Sequence, residues 1–187
     1  MKQINKVSLV LLILTLVLAG CSRKKSRFTS RAYHNTTTRY NYFFNAREIK
    51  RETERNLYDQ HKDDFSELLP LFIYPTEDQA KALYPDMDKI IEKVSTAIDR
   101  HSMYLRKKEH NRWVDDCYML MGIARFYKQE YYVGEEVFEY IAKAYKKQDE
   151  RFEGLIWLAR THIELGNMNK AESYLTLIDE LGVPKPV

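Results

Sequence analysis

From Trp113 onward the apolar residues recur every three or four positions, the interval that keeps side chains on one face of an α-helix. Trp113, Cys117, Leu120, Ala124 and Tyr127 form one stripe, and Val133, Val137, Ile141 and Ala144 a second. The pattern then repeats in Phe152, Leu155, Ala159 and Ile163, followed by Ala171, Leu175, Ile178 and Leu181. Polar or glycine-bearing breaks at Lys128–Tyr132 and Gly166–Asn169 separate the stripes. Each pair of stripes therefore predicts a helical hairpin. An offset of 37 residues places Gly122 on Ala159, Gln129 on Gly166, Gly134 on Ala171, Phe138 on Leu175 and Ile141 on Ile178, so the hairpin is repeated. Gly122 falls mid-helix, where glycine costs about 1 kcal/mol relative to alanine. Close approach of two helix backbones is the expected return.

Upstream, Thr36 to His61 contains neither glycine nor proline, and Tyr42, Ala46, Ile49, Thr53 and Leu57 mark one helical face. Tyr40, Phe43 and Phe44 widen that face at its start, while Arg47, Glu48, Lys50, Arg51, Glu52, Glu54 and Arg55 make a solvated side. The aromatic stretch Tyr33 to Ala46 is read as the apolar end of a packed helix, with an exposed binding patch as the alternative. Pro70, Pro75 and Pro85 punctuate the chain. A short helix over Glu77–Tyr84 and a longer one over Asp86–Lys107, carrying Ile90, Ile91, Val94, Ala97 and Ile98, are expected on either side of Pro85. The fold class predicted is all-α, a solenoid of stacked helical hairpins.

The N-terminus changes the picture. Lys2 and Lys6 precede an apolar run from Val7 to Leu18 that falls short of the ~20 residues needed to span a bilayer. It reads as a secretion leader. Its end, Leu18-Ala19-Gly20-Cys21, resembles the lipobox of bacterial lipoproteins in all four positions. That resemblance implies cleavage before Cys21 and acylation of it, with each buried methylene contributing about 0.8 kcal/mol to anchoring. Ser22, in lipoproteins of this kind, permits sorting to the outer membrane. The basic run Ser22-Arg23-Lys24-Lys25-Ser26-Arg27, where surface-displayed lipoproteins place acids, implies the periplasmic face. The expected organisation is leader 1–20, basic tether 21–32, N-terminal helical region 33–110, two repeats 111–181 and a tail 182–187.

Charge and chemistry add limits. Loss of Lys2 and Lys6 with the leader lowers the net charge from +3 to +1, so basicity is local to Arg23–Arg55. The tether reads as a solvated spacer, although each basic residue touching anionic headgroups contributes about 1 kcal/mol. With Cys21 acylated, Cys117 is the remaining thiol and no internal disulfide forms. Cys117 lies on an apolar stripe and reads as a small buried hydrophobe. His110 and Cys117, seven residues apart, are too distant for one metal unless the helix starts between them. Asp115 and Asp116 sit where a helix N-terminus favours negative charge, and His162 faces a neighbouring helix. No phosphate-cradling glycine loop or nucleophile elbow is present. The expectation is a non-enzyme with no cofactor, no metal and no nucleic-acid partner.

Trp157-Leu158-Ala159, Gly166, Ala171, Leu175 and Ile178 resemble a tetratricopeptide repeat. The first copy departs from it at Gln129 and Gly134, and the period exceeds the usual ~34 residues. Together with the lipobox, the stretches Arg39-Tyr40-Asn41-Tyr42-Phe43-Phe44-Asn45-Ala46, His61-Lys62-Asp63-Asp64-Phe65 and Arg112-Trp113-Val114-Asp115-Asp116 resemble the start of SprE/PorW-type lipoproteins. Those belong to the type IX secretion system and serve protein secretion and gliding motility. The resemblance implies an outer-membrane scaffold whose partners are secretion-machinery proteins. Family members are several times longer, which implies a shortened chain, a split gene or an absent partner that would cover Leu175 and Ile178. A repeat groove would be lined by Met119, Ile123, Phe126, Ile156, Arg160 and Ile163, positions that take extended peptides or partner helices. Three other readings are a barrel-assembly lipoprotein with similar repeats, a SusD-like glycan-binding lipoprotein, and a peptidoglycan-binding role for the Tyr-rich segment.

Overall fold

Alternating small and bulky residues decide how the helices approach one another. The computed structural model describes residues 27–145 and 149–182. The expected leader, the expected lipid-attachment residue Cys21 and residues 183–187 lie outside the described residues. Among the described residues there are six helices. Helix α1 runs over residues 28–60, as Phe28–Thr37 and Phe44–Gln60 joined through a π-helical segment, Thr38–Phe43. The others are α2 Glu77–His101, α3 Val114–Tyr127, α4 Tyr131–Ala144, α5 Asp149–Glu164 and α6 Met168–Leu181. A two-stranded antiparallel hairpin, β1 Tyr104–Leu105 and β2 Lys108–Glu109, separates α2 from α3. Each helix packs on the next in sequence, and α3 also touches α5. The architecture is all-α.

Two boundaries differ from expectation. Helix α1 begins at Phe28, so residues 28–32 of the expected tether are helical. Helix α2 is continuous through Pro85, where separate helices over Glu77–Tyr84 and Asp86–Lys107 were expected. A capping box starts it: Gln79 donates its backbone N–H to Thr76 Oγ1, and Thr76 donates its own to Gln79 Oε1. Pro85 is exposed, so its missing N–H and its ring are accommodated on the solvent side. The buried stripe Ala80, Met87, Ile90, Val94, Ala97 and His101 passes it uninterrupted. The helix stops at His101 because Glu109 gathers the chain beyond it. Its Oε1 accepts the backbone N–H groups of Met103, His110 and Asn111 at 2.7, 2.9 and 2.8 Å, and its Oε2 accepts Ser102 Oγ.

The π segment of α1 adds one residue to the turn. Buried positions step Ser30, His34, Thr38, then five residues to Phe43 and on to Ala46, Thr53 and Leu57. A polar stripe and an apolar stripe thus share one side of the helix. The polar part clasps the end of α2: Asn111 Nδ2 donates to Thr38 Oγ1 at 2.7 Å and to the His101 carbonyl at 3.0 Å, and His34 Nδ1 lies 2.9 Å from His101 Nδ1. Phe43 packs on Trp113 and Tyr42 on His101. Tyr40 and Phe44 remain exposed, so the aromatic stretch is divided between packing and surface.

In α4 the buried stripe is Gly134, Phe138 and Ile141; Val133 is 44% exposed, one position off the expected face. The cause is Gly122. A Cβ there would lie 2.5 Å from Phe138 Cε1. It is therefore a ring, fully buried and stacked at 5.7 Å on Trp157, that fills the space. The backbone approach expected of Gly122 comes from the facing Gly134, whose Cβ would sit 3.4 Å from the Gly122 carbonyl. In α5 Leu155, Leu158 and Ala159 are buried, and in α6 Ala171 is buried while Leu175 stays 50% exposed. Gly122→Ala is expected to lower stability by about 1–3 kcal/mol through overpacking, reversing the roughly 1 kcal/mol that alanine normally gains in a helix. Phe138→Ala should cost about 3–5 kcal/mol. Urea titration monitored by helical circular dichroism measures both.

Candidate functional site

The first helices of the two repeats, α3 and α5, present one face toward the C-terminal half of α1. Extended chain crosses that face. Between α1 and α2 the segment 61–75 has no helix of its own, and Pro70 and Pro75 hold their neighbourhood extended. Its end, Phe72-Ile73-Tyr74, lies against the helices. The Tyr74 ring meets Phe126 edge-on at 4.9 Å, and Phe72 stacks on Tyr74 at 6.0 Å. The Arg160 guanidinium lies 3.9 Å from the Phe72 ring centre and 4.8 Å from that of Trp157, and so bridges strap and helix face by cation–π contact. Gln129 Nε2 donates to the Pro75 carbonyl at 3.1 Å and pins the strap where it enters α2.

Beside the strap a cavity of about 320 Å³ remains, bounded by Lys50, Glu54, Tyr58, Tyr127, Ile156 and Arg160 among others. Tyr127 donates its hydroxyl proton to Glu54 Oε1 at 3.0 Å, and Glu54 also pairs with Lys50 at 2.7 Å. Burial, reinforced by the Glu54 charge, pushes the Tyr127 hydroxyl well above the usual phenol range. Burial also raises Tyr74, with Arg160 opposing it. The wall offers flat rings, one guanidinium, one ammonium and carboxylates. That is a chemistry for holding an extended peptide.

The six expected groove residues divide. Ile123, Ile156 and Arg160 line the cavity. Met119 and Phe126 do not: both are buried in the core, Phe126 beneath Tyr74 and against Trp157 at 5.2 Å. Ile163 is exposed but lies outside the cavity lining. For Phe126 the physical reason is the strap, whose Tyr74 covers the ring that the repeat pattern alone leaves open. Phe72, Tyr74, Tyr127, Lys50 and Glu54 escaped the sequence reading. The available signal was the apolar run bracketed by Pro70 and Pro75.

The remaining candidates resolve as follows. Cys117 is wholly buried, and burial drives its thiol pKa upward, so it packs. His162 is buried with Nε2 3.1 Å from Glu135 Oε1 and its ring stacked on Tyr174. Asp115 and Asp116 stand in the first turn of α3, as expected, and are half-buried. Burial, and for Asp116 also the charges of Asp115 and Glu150, raise them to about 6 and about 7. Among the described residues no cluster of His, Cys, Asp or Glu is arranged for a metal ion, and no helix is long and apolar enough to cross a membrane. No protein-family model matches the chain, and no curated protein matches it at a meaningful level.

A carboxyl group that holds its proton more tightly folded than unfolded stabilises the fold at low pH, and that stabilisation is lost as pH rises through the folded value. For Asp116 the window runs from its ordinary value of 3.8 to about 7. Asp116→Asn should therefore gain on the wild type as pH rises, with a larger stability difference in its favour at pH 8 than at pH 5. Denaturant midpoints at the two pH values measure it.

Proposed function

We propose that the chain is a lipid-anchored adaptor that binds other proteins through the α3/α5 face, as an outer-membrane lipoprotein of type IX secretion and gliding motility. The observation that carries the adaptor reading is the seat itself: a helical face that already holds an extended aromatic segment through Arg160, Trp157 and Phe126. We read α3/α4 and α5/α6 as tetratricopeptide-like units. Supporting that reading, Gly122 and Ala159 are equivalent and buried, as are Gly134 and Ala171. The lipobox ending in Cys21 and the basic residues after it support anchorage at the periplasmic face of the outer membrane.

Crosslinking in intact envelopes, followed by identification of the captured proteins, tests the assignment. Secretion-ring subunits are expected. Barrel-assembly components or glycan transporters would replace that reading with one of its alternatives. Ile156→Glu with Arg160→Glu should reduce capture at least about tenfold, the equivalent of 1.4 kcal/mol; undiminished capture would remove the α3/α5 face from the account. Labelled fatty acid should enter the wild type and not Cys21→Ser.

A further inference from the structure

A second concavity lies at the opposite end of α1, away from the strap. It measures about 500 Å³ and forms between the first turns of α1 and the residues leading into α3. Arg31 and Arg39 reach it from α1, His110 and Arg112 from the other wall, and the Trp113 and Tyr40 rings flank it. None of its lining residues is acidic.

The cleft gathers three arginines into one hollow with no acid in its lining. Lys50, Arg51, Lys81, Lys89, Arg125, Lys128 and Lys143 each have a carboxylate partner. Among the described residues no carboxylate pairs with Arg31, Arg39 or Arg112. Three guanidinium groups of like sign around one hollow repel each other, and an anion seated among them relieves that repulsion.

The frame is also held in place. Asn35 donates from Nδ2 to the His110 carbonyl at 3.2 Å, and its Oδ1 accepts the Arg112 backbone N–H at 2.9 Å. One side chain of α1 thus fixes the opposite wall. The Arg39 guanidinium lies 4.9 Å from the Trp113 ring centre and 5.0 Å from that of Tyr40, which limits its swing.

We infer that this cleft binds a phosphate ester, with the phosphate among Arg31, Arg39 and Arg112 and the esterified group against Trp113. Guanidinium forks match phosphate oxygens bidentately, and a doubly charged monoester offsets three cations better than a single carboxylate does. The ester has two possible sources, a soluble phosphorylated compound or a lipid headgroup. Phe28 lies seven residues beyond Cys21, a reach of at most roughly 25 Å for extended chain. A lipid anchor at Cys21 would bring the cleft to the headgroup layer.

The test uses the full chain and follows the Trp113 indole N–H resonance as glycerol 3-phosphate is added. A saturable shift is expected. Arg31→Gln with Arg112→Gln should weaken it at least about tenfold, whereas Lys81→Gln with Lys89→Gln, an equal loss of charge outside the cleft, should leave it unchanged. Helical circular dichroism of both double variants checks folding. Flotation with phosphatidylglycerol-containing and pure phosphatidylcholine vesicles assigns the source. An Arg31/Arg112-dependent preference for phosphatidylglycerol marks a lipid headgroup; glycerol 3-phosphate binding without that preference marks a soluble ester. No shift of Trp113 with glycerol 3-phosphate, or equal weakening by both double variants, would overturn the site.

Discussion

The ring of Phe138 fills the hollow that Gly122 leaves, and the placement of the α3/α5 face depends on that single insertion. Phe138 comes from α4, Gly122 from α3 and the stacked Trp157 from α5, so three helices are indexed by one side chain. The series continues outward. Trp157 carries Arg160 on its face, and Arg160 holds Phe72 of the strap. A change of one methyl group at residue 122 therefore has a route, through packed rings, to the surface where a partner would sit. Close packing leaves little slack to absorb it.

At the other end of the molecule the organising device is polar. Helix α1 carries one extra residue in its π segment, and this keeps Ser30, His34 and Thr38 on the same side as Phe43, Ala46 and Leu57. The hydrogen bonds from Asn111 and Asn35 then lock the start of α1 to the end of α2 and the approach to α3. Glu109 organises the backbone at the junction. Asn35 and Thr38, set among aromatics, serve as donor and acceptors of this clasp. The same clasp sets the walls of the arginine cleft.

Much of the helical pattern was legible because each hairpin repeats its period and its breaks. The stripe of α3 and the buried residues Ala46, Thr53 and Leu57 of α1 follow directly from three-and-four spacing. The face of α4 did not, since Val133 and Val137 are as apolar as Phe138 and only the glycine opposite decides between them. Pro85 misled for a related reason: an exposed proline is tolerated when a strong cap and an unbroken apolar stripe carry the helix past it. The strap was invisible to periodicity because extended chain has no helical period. Of the six expected groove positions, three line the cavity and two lie beneath or within the core. Repeat geometry finds the face but not what covers it.

The account turns on Arg160 holding Phe72 against the α3/α5 face, so that the strap and the helical face act as one unit. A double-mutant cycle on Phe72→Ala and Arg160→Ala, read from denaturant midpoints, measures that link with least interference from other contacts. The predicted coupling is about 0.5–2 kcal/mol, the range of a partly desolvated cation–π pair. Effects that add to within about 0.3 kcal/mol would show that the strap and the face are independent, and would contradict it.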